Sequence, residues 1–206
     1  MCWALGVNNL LMRILDPAFG HPRGFLGQIG GRLMARGNAE QEQWAVDSAQ
    51  LHPGERVLVI GHGPGVGLAL AAAAVGATGR VDGIDPSATM RRMAGEKCAP
   101  HIRQGTVEVR NGTADATGSQ AGDIDVAISV NNVMLWNLRE GFAEIERVLR
   151  PGGRLVVTVH RHVLGRDPEE LRSAAEATGF DALSLNLRQR RRNSPAVELI
   201  AHKTGT

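Results

Sequence analysis

Aromatic residues and cysteines are scarce in this 206-residue chain. It has no tyrosine, three tryptophans and four phenylalanines, so it lacks the aromatic stacking surface that single-stranded nucleic-acid-binding proteins use. Cys2 and Cys98 are far apart in sequence, which predicts neither a disulfide framework nor a bound metal. So few cysteines agree with a reducing compartment, and we expect a cytoplasmic protein.

A large excess of charge of one sign is also absent. Lys and Arg number 23 against 21 Asp and Glu, for a formal net charge of +2. This balance gives no strong attraction to nucleic acid or to an anionic membrane. We therefore expect a small-molecule substrate rather than a nucleic acid, with a homodimer left open.

Long uninterrupted apolar runs are missing as well. Asn8, Asn9 and Arg13 interrupt the apolar N-terminal stretch before it reaches the length of a membrane span. The stretch also lacks the basic start and clean apolar centre of a signal peptide. The length predicts one domain with its own core.

From residue 56 onward, short apolar runs alternate with helical patterns. The runs at 56–61, 80–85, 107–112, 124–130 and 153–160 are rich in β-branched residues, which is typical of a parallel sheet covered on both faces. Two further runs, 182–188 and 195–203, follow each other without a helix between them, so they must be antiparallel. The pattern predicts a three-layer, doubly wound α/β fold: a mostly parallel seven-stranded sheet that ends in an antiparallel hairpin. The basic run in the hairpin turn, 188–193, predicts a solvated tip, with binding of an acidic partner or of RNA phosphate as the alternatives.

The stretch "VLVIGHGPGVG" (57–67) joins the first strand to a helix through a glycine loop. Such loops aim backbone N–H groups at a ligand, and both dinucleotides and S-adenosylmethionine are bound in this way. The dinucleotide fingerprint G-x-G-x-x-G requires a glycine where this chain has Val66. The loop therefore disfavours NAD(P), although the spacing alone does not decide between the two cofactors.

Two aspartates follow the next two strands and suit an adenosyl ligand. Asp85 ends the second strand, where a carboxylate accepts hydrogen bonds from ribose hydroxyls; the alternative is a cap for the following helix. Asp115 follows the third strand, in "NGTADA", where it can accept from the adenine amino group. The alternative for Asp115 is an ordinary loop aspartate.

With these positions in place, the chain resembles the class I S-adenosylmethionine-dependent methyltransferases. The resemblance rests on the glycine loop, on "VDGIDPS", "GTADA" and "DIDVAISVNNVMLW", and above all on "EIERVLRPGGRLVVTV". It covers about residues 44–203 and implies S-adenosylmethionine as cofactor, with S-adenosylhomocysteine as product. The expected cofactor-binding residues are Gly61, His62, Gly63, Gly65, Asp85, Pro86, Ala114, Asp115 and Asn131.

The chain departs from this family at two positions of the loop. The family usually has an acid two residues before the first glycine, where it often helps to hold the methionine ammonium; here the residue is Val59. A backbone carbonyl near Gly61 or a polar residue from the N-terminal segment must then replace that acid. His62 occupies a position where the family prefers a small residue, and we expect its ring to pack over the cofactor.

The acceptor side is predicted from residues beyond the fourth and fifth strands. His160 ends the fifth strand and is the candidate general base, with a hydrogen-bonded structural histidine as the alternative. The expected substrate-binding residues are Phe19, His21, Phe25, Asn132, Trp136 and His162. Residues 1–37 are predicted to form a helical lid over the catalytic domain, 38–206.

The predicted reaction is methyl transfer from S-adenosylmethionine to the oxygen, nitrogen or activated carbon of a small, mostly apolar or aromatic metabolite. The missing acid at Val59 keeps a second hypothesis open, a module that binds an adenosyl ligand without turnover. A third hypothesis, an NAD(P)-dependent oxidoreductase, is opposed by Val66 and by the predicted hairpin.

Overall fold

The computed structural model describes residues 38–189 and 194–205. The predicted lid, 1–37, and the centre of the basic turn, 190–193, lie outside the described residues. Within the described ranges, no helix is long and apolar enough to cross a membrane.

A single seven-stranded sheet forms the middle layer, in the order β3-β2-β1-β4-β5-β7-β6. Strands β1 to β5 pair in parallel, whereas β7 runs antiparallel to both β5 and β6. The predicted α/β fold and its antiparallel hairpin are thus confirmed. The strands are β1 (Arg56–Ile60), β2 (Arg80–Ile84), β3 (Val107–Arg110), β4 (Ile124–Val130), β5 (Leu149–His160), β6 (Phe180–Arg188) and β7 (Ala196–Lys203).

Helices cover both faces of the sheet. One apolar cluster joins the sheet to the first three helices, through residues such as Ala45 and Leu68; the other joins it to the later helices, through residues such as Phe142 and Leu171. The described helices are α1 (38–49), α2 (Val66–Val75), α3 (Ala88–Lys97), α4 (Ala99–Arg103), α5 (Leu138–Val148), α6 (Arg161–Leu164) and α7 (Pro168–Glu176), with a 3₁₀ turn at Val133–Leu135.

Local sequence sets the start of α7 as predicted. Asp167 accepts a hydrogen bond from the backbone of Glu169, and Glu170 bonds back to the backbone of Asp167, which forms a capping box ahead of Pro168. Strand β5, by contrast, begins at Leu149 rather than at the predicted residue 153, because Leu149 already pairs with Ile124 across a register shift.

The strand order places a crevice at one edge of the sheet. Strand β1 lies between β2 and β4, so the connections from β1 and β4 leave toward opposite halves of the sheet. Ligands of open α/β sheets bind at such a switch point, beyond the carboxyl ends of the strands. The glycine loop and both predicted acids follow strands that end at this edge.

Candidate functional site

A cleft of about 340 Å³ opens at the switch point. This volume lies within the range of small-molecule sites. Its walls come from α1, from the glycine loop and from the segments that follow β2, β3 and β4. The lining residues are Asn38, Glu42, Ile60, Gly61, Gly63, Pro64, Val66, Asp85, Pro86, Ser87, Met90, Gly112, Thr113, Ala114, Asp115, Val130, Asn131, Asn132, Leu135, Trp136 and Asn137.

Gly61 and Gly63 of the loop both line the cleft, and glycine is required at each for a different steric reason. A Cβ at Gly61 would stand 2.6 Å from Asn132 Nδ2, so only glycine lets the loop approach β4. A Cβ at Gly63 would meet nothing within 4 Å. At Gly63 the backbone has a φ of 53°, which favours glycine, and it borders open space in which a ligand fits.

Gly65 and His62, which the resemblance places at the cofactor, are not among the residues that line the cleft. A Cβ at Gly65 would stand 2.9 Å from Ala94 Cα, so Gly65 allows the loop to pack against α3. The His62 ring is buried, with Nδ1 2.7 Å from the carbonyl oxygen of Gly63. The ring lies beside Gly83 of β2, where an added Cβ would stand 3.0 Å from His62 Cδ2. Burial lowers the pKa of His62, although the charge of Asp85 opposes this shift.

Asp85 is buried and holds the loop in place. Its Oδ2 accepts a hydrogen bond from the Gly63 backbone N–H at 3.0 Å, and its Oδ1 accepts one from Ser87 N–H at 2.8 Å. Ser87, rather than Asp85, caps α3 with its side chain. A carboxylate has about four lone-pair positions, so Asp85 retains acceptor capacity on its cleft side.

The other expected adenosyl contacts also meet at the cleft. Pro86 follows Asp85 into its wall, and Ala114 and Asp115 line it from the loop after β3. Asp115 is exposed and Ala114 is buried. Asp85 and Asp115 thus approach one cleft from neighbouring strands, as their positions after parallel strands predict.

Asn131 connects β4, β5 and α1 at the cleft wall. Its backbone has a φ of 54°, which is uncommon for a residue other than glycine and occurs often at functional sites. Its amide pairs with Gln41 through bonds of 3.1 and 3.3 Å, and its Oδ1 accepts from the His160 backbone N–H at 2.9 Å. The Asn131 side chain therefore fixes the ends of two strands against α1.

Asn132 and Trp136 both line the cleft, and the Asn132 amide forms its hydrogen bonds within the protein. Its Nδ2 donates to the Ile60 carbonyl at 2.7 Å, and its Oδ1 accepts from Ser129 Oγ and from Trp136 Nε1, both at 2.9 Å. These bonds hold the Trp136 ring, which also packs edge-on against Phe142. Asn132 positions the wall of the cleft instead of presenting a free amide to a substrate.

His160 and His162 do not line the cleft. The rings of the two histidines lie 5.5 Å apart at the end of β5 and the start of α6. His160 Nε2 stands 3.3 Å from Oδ1 of Asn38, which does line the cleft. The expected contacts from Phe19, His21 and Phe25 lie outside the described residues.

Glu42 is a cleft residue that the motifs do not indicate. It lies on α1 with its carboxyl group beside Gly67, where a Cβ added to the glycine would collide with Glu42 Oε2. Burial raises the pKa of the Glu42 carboxyl from 4.5 to about 8. The signal in the sequence is an acid on the apolar face of a helix, at the spacing i, i+3, i+4, i+7 with Ala45, Val46 and Ala49.

The residues of the cleft suit an adenosyl cofactor with a cationic end. Gly63 offers backbone beside open space, and Asp85 has acceptor capacity left for ribose hydroxyls. Among the described residues that line the cleft, three are acidic, Glu42, Asp85 and Asp115, and none is Lys, Arg or His. S-adenosylmethionine supplies a methyl group on a sulfonium, which is one of its two positive charges.

Comparison with known proteins also indicates a methyltransferase. Residues 57–153 match a family described as a methyltransferase domain. An uncharacterized methyltransferase of Bacillus subtilis, YdaC, is 27% identical over 168 residues, which cover 78% of this chain and 90% of the relative. The arsenite methyltransferase of Halobacterium salinarum is 35% identical over 118 residues, which cover 53% of this chain and 28% of that longer protein.

A solved structure shares the fold. Geranyl diphosphate methyltransferase in complex with S-adenosylmethionine superposes with a TM-score of 0.68 at 17% identity, and the alignment covers 90% of this chain and 93% of the other. The match to the methyltransferase domain, the relative aligned over nearly its whole length and the cleft at the switch point agree with the sequence motifs. Residues 57–153 thus form a methyltransferase domain, and the matches together with the fold support a class I S-adenosylmethionine-dependent methyltransferase.

Proposed function

We propose that the methyl acceptor is a small, mostly apolar or aromatic metabolite. The observation that carries this proposal is the apolar wall after β4, where Leu135 and Trp136 border the cleft. The Leu135 side chain is 55% exposed, and large apolar side chains exposed beside a cleft are typical of binding sites. The Trp136 ring is held by Asn132 and Phe142, so it offers a rigid surface to a flat or branched acceptor.

The charges around the cleft support an uncharged or cationic acceptor over a polyanion. No Lys, Arg or His is among the described residues that line the cleft, and phosphate-rich substrates are normally held by such side chains. The acids of the cleft would repel a nucleic-acid backbone. We propose therefore that the enzyme modifies metabolites, and that it does so in the cytoplasm.

The chain's part in the reaction is to position the reactants and to exclude water. We propose His160 as the base where the acceptor must lose a proton, reaching the cleft beside Asn38. Residues 1–37, with Phe19, His21 and Phe25, are proposed to complete the acceptor side as a lid. His160→Ala should then lower turnover by roughly a hundredfold and leave cofactor affinity unchanged. A wild-type rate in this variant would remove His160 from the chemistry.

The acceptor class can be tested with S-adenosylmethionine that carries a labelled methyl group. The purified protein is incubated with metabolite fractions of graded polarity, and we expect label in the apolar and aromatic fractions. Leu135→Ala should raise KM for the labelled acceptor, because it removes part of the apolar wall.

A matched control is available on strand β6. The Leu187 side chain is 54% exposed, nearly the same as that of Leu135, and it is not among the cleft residues. Leu187→Ala should leave KM unchanged. Label found only in nucleic acid, protein or strongly anionic metabolites would refute the proposed acceptor class.

A further inference from the structure

The family position for an acid in the first strand is occupied by Val59, which is buried in the apolar cluster between the sheet and α1. Ala45, Val46 and Ala49 of α1 belong to the same cluster. Glu42 lies one turn before Ala45 and Val46 on this helix face. The carboxylate that β1 lacks is thus present on the helix that packs over β1.

The position of Glu42 places it at the cleft, next to the start of α2. Glu42 lines the cleft together with Gly61 and Gly63. Its Oε2 lies against Gly67, the second residue of α2, and the absence of a side chain there makes room for the carboxyl group. A larger residue at position 67 would push the carboxyl group away from the glycine loop.

Glu42 is half-buried at the cleft wall, and its carboxyl group has no hydrogen bond or ion pair with any residue of the described ranges, although a carboxylate removed from water normally has such a partner. We propose that Glu42 is the anionic partner of the cofactor's methionine ammonium and supplies, from helix α1, the carboxylate that position 59 does not carry. This assignment concerns the cofactor end of the cleft and does not depend on which acceptor is methylated.

The charges that face Glu42 favour a cationic partner from the ligand. Helix α2 has no charged residue, and Asn131 and Gln41 are neutral. The remaining charged groups of the cleft are Asp85 and Asp115, both acidic. Because no described cation of the protein neutralises Glu42, a bound ammonium would be the nearest positive charge.

Binding should therefore release a proton from Glu42. Burial raises the pKa of the free carboxyl to about 8, so near neutral pH most molecules carry the proton. A neighbouring ammonium stabilises the ionised form and lowers that pKa, and the proton leaves to the buffer. The number of protons released at pH 7 can be measured by titration calorimetry in buffers of different ionisation enthalpy.

Three ligands distinguish the contribution of the methionine end to binding from the contribution of the rest of the cofactor. S-adenosylmethionine and S-adenosylhomocysteine both carry the ammonium, whereas 5′-methylthioadenosine carries neither the ammonium nor the carboxylate. In Glu42→Gln, affinity for the first two should fall by roughly tenfold to a hundredfold, as expected for a hydrogen bond to a charged group. Affinity for 5′-methylthioadenosine should stay within about twofold, and the proton release seen in the wild type should disappear.

Asp47→Asn is the matched control. It removes a carboxylate from the exposed face of α1, where the Asp47 side chain accepts only from Gln43 among the described residues, and it should change neither affinity nor proton release. The free ligand titrates alike in every experiment, so the difference between the variants reports the pairing of Glu42 with the ammonium.

Two results would overturn the proposal. If Glu42→Gln weakened binding of 5′-methylthioadenosine as much as binding of S-adenosylmethionine, Glu42 would support the loop and not the ammonium. If cofactor affinity were unchanged while turnover fell, Glu42 would act on the acceptor as a base. Neither result would bear on the acceptor class, which the labelling experiment tests separately.

Discussion

Asp85 holds the glycine loop and lines the cleft, so its substitution can measure both its contribution to stability and its expected contribution to cofactor binding. Its two carboxylate oxygens accept hydrogen bonds from the backbone N–H groups of Gly63 and Ser87, and the residue is 6% exposed. Asp85→Ala removes the carboxylate that accepts from both donors. Each orphaned buried donor costs about 1–3 kcal/mol, but water in the cleft can reach the Gly63 N–H, so we expect a total loss of about 2–4 kcal/mol in the free energy of unfolding.

Asp85→Asn should fall between the wild type and Asp85→Ala. An amide has one oxygen and one NH₂ group, so one of the two backbone donors would face another donor. We expect this variant to lose about 1–2 kcal/mol of stability. Urea denaturation, followed by circular dichroism, measures the unfolding free energy, and titration calorimetry measures affinity for S-adenosylmethionine.

Asp115 provides the comparison, because it lines the same cleft but is exposed. Asp115→Ala should weaken cofactor binding and change the unfolding free energy by less than about 0.5 kcal/mol. Asp85→Ala should weaken binding and also lower stability. If Asp85→Ala had the same urea midpoint of unfolding as the wild type, the hydrogen bonds of Asp85 would not hold the loop, and this prediction would be wrong. Unchanged affinity would remove Asp85 from the cofactor site.

Three further outcomes are expected from variants of the same region. Gly65→Ala should lose about 1–3 kcal/mol in urea denaturation, because its backbone has a φ of 88° and the new methyl group would press on the Ala94 backbone. Asn132→Ala should lose about 2–4 kcal/mol and redden the Trp136 fluorescence, because the indole N–H loses its acceptor and the ring becomes wetter; unchanged fluorescence would contradict this. For Glu42 the pKa is raised on folding, so the wild type loses stability as pH rises from about 4.5 to about 8, whereas Glu42→Gln does not. The free energy of unfolding of Glu42→Gln should therefore rise relative to that of the wild type, by about 1–2 kcal/mol across this pH range after allowance for water in the cleft. Equal pH profiles of stability would show that the carboxyl group is not desolvated.

Local patterns account for the parts of the fold that sequence predicts well. The apolar runs of β1 to β5 indicate strands buried on both faces, and the absence of a helix between β6 and β7 requires an antiparallel pair. The cap of α7 is equally local, since Asp167, Pro168 and Glu170 are close neighbours in sequence. The start of β5 is predicted four residues late, because its first residues are paired by a register shift with β4 that no local pattern records.

Within the site, the positions of loop residues are predictable, whereas the directions of their side chains are not. Asp85 and Asp115 follow strand ends, so topology alone brings them to one cleft. His62 lies in the middle of the glycine motif, yet its ring turns below the loop toward Gly83. Asn132 lies beside Asn131, yet its amide is consumed by Ile60, Ser129 and Trp136.

The sequence by itself determined the class of fold, the switch-point crevice and the cofactor family, because these depend on periodicity, glycine spacing and the order of strands. Only the tertiary structure revealed that Glu42 shares the cleft with the glycine loop, since α1 and Gly67 come together through packing on the sheet and not through any motif. It also showed that His160 contacts Asn38, which lines the cleft, and is not itself a cleft residue. Burial and hydrogen-bond partners are properties of the folded chain, and they decide which acidic side chain can pair with a ligand.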